Sequence, residues 1–266
     1  DATKEYYRIV RVFGRRGLKY FPSNVPSTLD VYDVNGASAA PINVYADFVR
    51  SIDPRAITKE KYFWDFTNPR LANRPILDFL NVKYVIADTT LPFDNEPLYQ
   101  KNQFRIYENP GYLSRFFLTY EAQSYNEIEK AQTMLADRKF DSESVLIPEN
   151  QFRTGFLNGT GTGSVKVLNY SPDEIDLEVL SDKNAVLVSS EVYYPGWRVL
   201  ISGQPAEMLL INTAFRGVYL PAGKHHVIFQ FNSAAFKNGT MISLLSLGAV
   251  LILAYFKSRQ NGNVVK

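Results

Sequence analysis

The sequence predicts an α+β protein in three parts: a mixed α/β N-terminal domain, a seven-strand β-sandwich, and a C-terminal transmembrane helix. Three observations carry this reading. Strand-like and helix-like stretches alternate through residues 1–157. Seven short strand-like runs, separated by turn signals, then fill residues 164–232. Finally, Met241 to Phe256 contains sixteen residues without a charge. A Gly-rich linker is expected at 158–163, a span at 239–256 and a basic tail at 257–266.

In chain order, Tyr6 to Phe13 alternates apolar residues with Arg8 and Arg11, the pattern of a half-buried strand with a solvated side. Leu29 to Val34 is a second short strand candidate. Ile42 to Ile52 has apolar residues at 44, 45, 48, 49 and 52, one face of a helix placed after Pro41. Residues 53–75 hold Pro54, Pro69 and Pro75 and read as irregular. Ile76 to Leu80 closes a helix that leads into the strand Val82 to Ala87. Phe104 to Tyr107 and Arg115 to Tyr120 are further strands. Ser124 to Asp137 is predicted as a helix, with Ser124 as N-cap and Glu127 completing a capping box. Ser144 to Ile147 returns to strand, which makes this half mixed α/β.

Asn158 to Ser164 reads NGTGTGS, but lacks the Gly-Lys-Ser/Thr ending of a phosphate loop and any helix behind it. It is expected to be a linker or hairpin. The seven following strands are Ser164 to Tyr170, Glu174 to Leu180, Ala185 to Glu191, Trp197 to Ser202, Met208 to Ile211, Gly217 to Leu220 and His225 to Phe231. Their spacing and turn residues point to a β-sandwich.

Sixteen uncharged residues give roughly 24 Å of helix at about 1.5 Å per residue, and Gly239 and Thr240 extend the stretch into the length range of a span. Lys257, Arg259 and Lys266 follow, with no acid in the last ten residues, which places that end in the cytoplasm by the positive-inside rule and the bulk of the chain outside it. The chain starts at Asp1 without an initiator Met and reads as part of a longer or processed protein. With 29 basic and 27 acidic residues the net charge is +2, which gives no global electrostatic case for nucleic acid. The absence of cysteine excludes disulfides and thiolate metal sites.

Candidate chemistry is sparse. His225 and His226 are adjacent on a strand, so their side chains point to opposite faces and do not share a metal. No Gly-x-Ser-x-Gly elbow accompanies them. Asp173, Glu174, Asp176 and Glu178 cluster on one strand; a Ca²⁺ site there would need oxygens from other loops, and a solvated face is the simpler reading. Asp88 ends a buried strand, where α/β proteins often place function. Tyr193, Tyr194 and Trp197 surround a Pro-Gly turn. They are the candidate carbohydrate contacts, set against Trp197 as a core residue with the tyrosines supporting the turn. No catalytic residue, metal ligand or cofactor site is assigned.

Three stretches together resemble the YfhO family of bacterial polytopic membrane proteins: Leu80-Asn81-Val82-Lys83-Tyr84-Val85-Ile86, Tyr193-Tyr194-Pro195-Gly196-Trp197-Arg198-Val199, and Phe215-Arg216-Gly217-Val218-Tyr219-Leu220-Pro221-Ala222-Gly223-Lys224-His225. Phe236-Lys237-Asn238-Gly239 before the final apolar helix fits as well, so order and spacing agree over nearly the whole chain. One departure is Ser202-Gly203, where the family pattern has Asp-Gly. The resemblance implies an extracytoplasmic accessory region of a GT-C-type, glycosyltransferase-like protein of the bacterial cytoplasmic membrane. Such proteins use polyprenyl-phosphate sugars to modify cell-envelope polymers such as lipoteichoic acid. The implied partners are the membrane, envelope polysaccharide or the lipid-linked sugar, and no nucleic acid. The catalytic acid of that architecture belongs to a loop this chain does not contain. The alternative is a non-enzymatic, membrane-anchored surface module that binds carbohydrate or protein.

Overall fold

The computed structural model describes residues 6–13, 25–37, 42–57, 63–64, 66, 68 and 75–262. Asp1, Pro41, Pro69 and Lys266, used above, lie outside them, as does much of the stretch 53–75 expected to be irregular. The first sheet has the order β2-β1-β5-β7-β6, built from β1 (Arg8–Val12), β2 (Tyr32–Asp33), β5 (Val82–Ala87), β6 (Tyr99–Lys101) and β7 (Phe104–Glu108). β1 runs parallel to both β2 and β5, while β5, β7 and β6 are antiparallel. Two two-residue strands, β3 (Gly36–Ala37) and β4 (Phe63–Trp64), pair with each other as a separate antiparallel ladder. A 3-10 turn at Pro26–Leu29 replaces the start of the strand expected over Leu29 to Val34.

β1 departs from its expected half-solvated pattern. Arg11 is 1 % exposed and donates from Nε to Asp33 Oδ2 at 2.6 Å. A strand paired in parallel on both sides is covered on both faces, so its polar residues need buried partners rather than water.

α1 (Asn43–Ile52) buries Ala46, Phe48, Val49 and Ile52; Phe48, Val49 and Ile52 belong to the face read from the sequence, whose Val44 and Tyr45 are half-buried. α2 (Pro75–Phe79) follows and buries Ile76, Leu77 and Phe79. The expected helix over Ser124 to Asp137 is shorter. Ser124 belongs to β9 (Ala122–Tyr125), which pairs in parallel with β10 (Val145–Pro148), and α3 occupies Ile128–Ala136. Glu127 stands at the N-cap with no side-chain capping bond. The capping-box spacing lost to strand pairing, which gives residues 122–125 backbone hydrogen bonds along β10.

The second half does not form one self-contained seven-strand sandwich. Five strands make one open sheet, β11-β12-β18-β14-β15: β11 (Gly163–Tyr170), β12 (Glu174–Ser181), β14 (Trp197–Ile201), β15 (Gln204–Ala206) and β18 (Gly223–Phe231). Four strands make the other, β16-β17-β13-β8: β8 (Phe116–Thr119), β13 (Ala185–Val192), β16 (Leu209–Ile211) and β17 (Phe215–Leu220). β8 comes from the first half of the chain and pairs with β13 from Val186↔Thr119 to Ser189↔Phe116. β15 has no strand signal in the sequence, because Gln204-Pro205-Ala206 carries no apolar alternation; it exists because Ser202 and Gly203, at φ 49° and 81°, close a tight hairpin. The fold is thus mixed α/β with several open sheets and short helices.

Two cores result. Ile175, Leu177, Val179, Leu187, Val199, Val227 and Phe229 fill the space between the two large sheets. The other face of β13 and β17 packs on the α/β half, so Val186, Val188, Phe215 and Tyr219 share one cluster with Val10, Phe48, Phe79 and Leu135. Phe215 is the hub. Its ring lies 4.8 Å from Phe48, 5.0 Å from Phe79 and 6.3 Å from Tyr45, all edge-to-face.

Gly161 and Gly163, from the segment read as a linker or hairpin, are in tight contact. A Cβ on Gly161 would stand 2.4 Å from the Tyr120 ring, and one on Gly163 2.4 Å from the Leu180 carbonyl oxygen. Close approach explains those glycines better than flexibility does.

α4 (Ala234–Gly262) carries the apolar stretch, with Leu244, Leu245, Leu251 and Leu253 more than 60 % exposed. The transmembrane expectation is corrected here: among the described residues, no helix is long and apolar enough to cross a membrane. The expected span, residues 239–256, provides roughly 27 Å against a bilayer core of about 30 Å. The orientation inferred from the basic tail, and the placement of the bulk of the chain outside a cytoplasmic membrane, rested on that span and fall with it.

Candidate functional site: a guanidinium cluster behind the aromatic turn

β13 reads AVLVSSEV, an apolar run that ends in Ser189, Ser190 and Glu191. Its pairing with β17 is regular up to Ser189↔Arg216 and resumes at Val192↔Phe215, so Ser190 and Glu191 form a bulge. A bulge bends the strand and re-aims its side chains. Here it turns Glu191 toward three arginines from three other segments: Arg8 of β1, Arg115 just before β8, and Arg216 of β17.

Arg8 Nη2 donates to Glu191 Oε1 at 2.9 Å, and its Nη1 donates to Ser190 Oγ at 2.8 Å and to the Leu80 carbonyl at 3.0 Å. Tyr170, the last residue of β11, donates its hydroxyl to the same Oε1 at 2.8 Å. Arg115 Nη1 donates to the Tyr170 hydroxyl at 2.7 Å and lies 3.5 Å from Glu191 Oε1. The Arg115 guanidinium also sits 4.1 Å from the centre of the Tyr32 ring, a cation–π distance.

Arg216 is the least satisfied member. Its Nη2 is 4.0 Å from Glu191 Oε2, at the limit of an ion pair, while its Nε and Nη1 are buried without a hydrogen-bond partner. The residue is only 3 % exposed. Its guanidinium stacks 4.0 Å from the Trp197 ring centre and 5.8 Å from that of Phe229.

The electrostatics follow from this count. Burial alone would raise the Glu191 carboxyl, but Arg8, Arg115 and Arg216 outweigh it and hold the group down at about 2. Burial pushes the Arg216 guanidinium down to about 10, with Glu191 and Tyr170 opposing the shift. Burial likewise lowers Arg8, assisted by the charge of Arg115. The Tyr170 hydroxyl is raised, first by burial and then by Glu191. One carboxylate thus faces three guanidinium groups in a poorly hydrated site.

The aromatic turn borders this cluster. Gly196, at φ 106°, lets the chain fold back beside Phe231. The Tyr194 ring is 6.2 Å and the Trp197 ring 5.5 Å from Phe231. Tyr194 is 44 % exposed, Trp197 is half-buried against the inter-sheet core, and Tyr193 is half-buried with its backbone N–H bonded to the Ala214 carbonyl at 2.7 Å.

The remaining candidates are held apart. His225 Nε2 lies 3.0 Å from the Pro221 carbonyl, and His226 Nε2 lies 2.5 Å from Asp176 Oδ1. Glu178 pairs with Lys224 at 2.7 Å and Glu174 accepts from Gln230 at 3.1 Å, so the acidic strand face is a ladder of cross-strand pairs. Asp173 accepts from the Ser171 hydroxyl at 2.9 Å. Asp88 lies half-buried in the bend after β5. Among the described residues, no group of three or more His, Asp or Glu side chains is placed to hold a metal.

Sequence reasoning missed the cluster. The available signal was an arginine inside the otherwise apolar run of β17, Phe215-Arg216-Gly217-Val218-Tyr219-Leu220, all six of which are buried.

The family model described as bacterial membrane protein YfhO matches residues 154–243. The match covers β11 to the start of α4 and leaves out the Leu80 to Ile86 stretch, so the likeness expected over nearly the whole chain holds for part of it. No curated protein and no solved structure matches the chain. The reading as the outer part of a membrane-embedded, glycosyltransferase-like envelope protein, and its membrane-anchored alternative, both required a spanning helix. With none among the described residues, neither stands.

Proposed function

We propose that the chain is a carbohydrate-recognition module whose contact surface is the turn Tyr193-Tyr194-Pro195-Gly196-Trp197. The observation that supports it is the pairing of an exposed Tyr194 ring with a half-buried Trp197 ring around Phe231, at the start of β14 in a rigid sheet. Aromatic faces held in place by a scaffold lose little conformational freedom when an apolar sugar face stacks on them. Tyr194 supplies the open ring. Trp197 supplies a second, anchored by its stack on Arg216.

The test is calorimetric titration of the intact chain with soluble neutral polysaccharides. Tyr194→Ala should weaken binding about tenfold, the equivalent of one aromatic stack of about 1.5 kcal/mol, with an unchanged melting temperature. Equal binding by wild type and Tyr194→Ala would remove the turn from recognition.

A further inference from the structure

The cluster behind the turn carries an imbalance that the carbohydrate reading does not need. Three guanidinium groups face one carboxylate. Asp33, on the neighbouring strand β2, is engaged by Arg11 at 2.6 Å. Glu191 Oε1 already takes Arg8, Arg115 and Tyr170, which leaves Arg216 with one contact at 4.0 Å. The Nε of Arg216 carries one N–H and its Nη1 carries two, all without an acceptor in a residue 3 % exposed. A buried charged donor left in that state is costly, and an acceptor supplied from outside relieves the cost. Stacking covers the faces of a guanidinium and leaves its edges, where the N–H groups point, for an oxygen ligand.

We infer that Arg216, with Arg8 and Arg115 behind it, forms a binding site for an oxyanion, a phosphate or carboxylate group, which Trp197 covers. Trp197 is the half-buried residue on the guanidinium, and it directly follows Gly196, whose φ of 106° is open to glycine alone at low cost. The anion binds along the guanidinium edge, gives the unpartnered N–H groups their acceptors and changes the charge against which the indole is stacked. Glu191 is the built-in competitor: it holds part of the positive charge when no ligand is bound. Where the aromatic turn also contacts sugar, which rests on the function proposed above, the ligand is an anionic glycan. The anion site itself stands without that reading.

The experiment uses the full chain with Trp64→Phe, so that Trp197 is the sole indole. Inorganic phosphate is titrated at pH 7 against sodium chloride of matched ionic strength, with glucuronate as a second arm, and Trp197 fluorescence is read. A saturable change with phosphate, glucuronate or both, absent with chloride, is expected. The arm that saturates tells a phosphate ester from a uronic acid. Arg216→Gln should weaken the response at least about tenfold, the loss of a charge-assisted hydrogen bond. A linear response, an equal response to chloride, or an undiminished response in Arg216→Gln would overturn the site. Should Arg216→Gln fail to fold, Glu191→Gln decides: removing the competing carboxylate should tighten phosphate about threefold, and unchanged or weaker binding refutes the inference. Neutral-glycan binding in Tyr194→Ala is read separately, so failure of the anion site and failure of the carbohydrate surface are distinct results.

Discussion

Replacing Phe215 by Ala should destabilise both halves of the molecule at once. Phe215 is 1 % exposed, and its ring meets Phe48 of α1, Phe79 of α2 and Tyr45 of α1 edge-to-face, while its backbone belongs to β17 of the second half. Loss of the ring removes about 2 kcal/mol of transfer free energy, and a residual void of about 60 Å³ at about 24 cal/mol per Å³ adds about 1.5 kcal/mol. The sum, about 3.5 kcal/mol, corresponds to about 7–14 °C in melting temperature for a chain of this size. The void should not collapse readily, because α1 and α2 are both fixed by other buried residues, Val49 and Ile52 on one and Ile76 and Leu77 on the other. Urea denaturation is the assay, followed by far-ultraviolet circular dichroism for the whole chain and by the fluorescence of Trp197, the sole indole in a Trp64→Phe background, for the second half. Both signals should shift together. A loss under about 1 kcal/mol, or a shift in one signal only, would show that Phe215 does not join the two halves.

Two further predictions concern charge and close contact. The Glu191 carboxyl titrates at about 2 in the folded chain against an ordinary 4.5, so its ion pairs stabilise the fold above pH 4.5 and that contribution disappears as pH falls toward 2; urea midpoints at pH 7, 4 and 2.5 should fall along that window, and a wild-type profile that overlays that of Glu191→Gln would exclude the carboxylate as the cause. Gly163→Ala should lower the melting temperature more than Gly203→Ala, because a Cβ at 163 meets the Leu180 carbonyl oxygen at 2.4 Å, whereas at 203 nothing lies within 4 Å and only the strain of φ 81°, about 1–2 kcal/mol, opposes it; the reverse order in a thermal scan would contradict the packed reading of the Gly-rich segment.

Local patterns were legible where one residue's neighbours in sequence decide its environment. The period of α1, the buried run of β5 and the turn-bounded strands of the second half all follow from side chains a few positions apart, and each lies within two residues of its expected place. What sequence did not disclose depends on partners far along the chain. Arg8 and Arg11 look like the wet side of a half-buried strand until β2 and β5 cover both edges of β1 and Glu191 and Asp33 arrive to pair them. Ser124 fits a capping box until β10 offers it a parallel strand instead. β8 belongs by sequence to the α/β half and by hydrogen bonding to β13.

The guanidinium cluster brings these non-local effects together at one place. It requires the parallel placement of β1 to deliver Arg8, the exchange of β8 between halves to deliver Arg115, and the bulge at Ser190 and Glu191 to aim the carboxylate between them. Tertiary pairing builds the site, and no local motif announces it. The same argument explains why Trp197 has two readings that need not compete. It packs on the inter-sheet core, as a structural tryptophan would, and its ring face lies on Arg216, the cation with unpartnered N–H groups. A purely structural tryptophan would be expected to cover a satisfied neighbour, since a buried guanidinium lacking acceptors weakens the very core it helps to close. That unsatisfied cation makes Arg216, rather than the exposed Tyr194, the residue whose substitution tells most about what the molecule recognises.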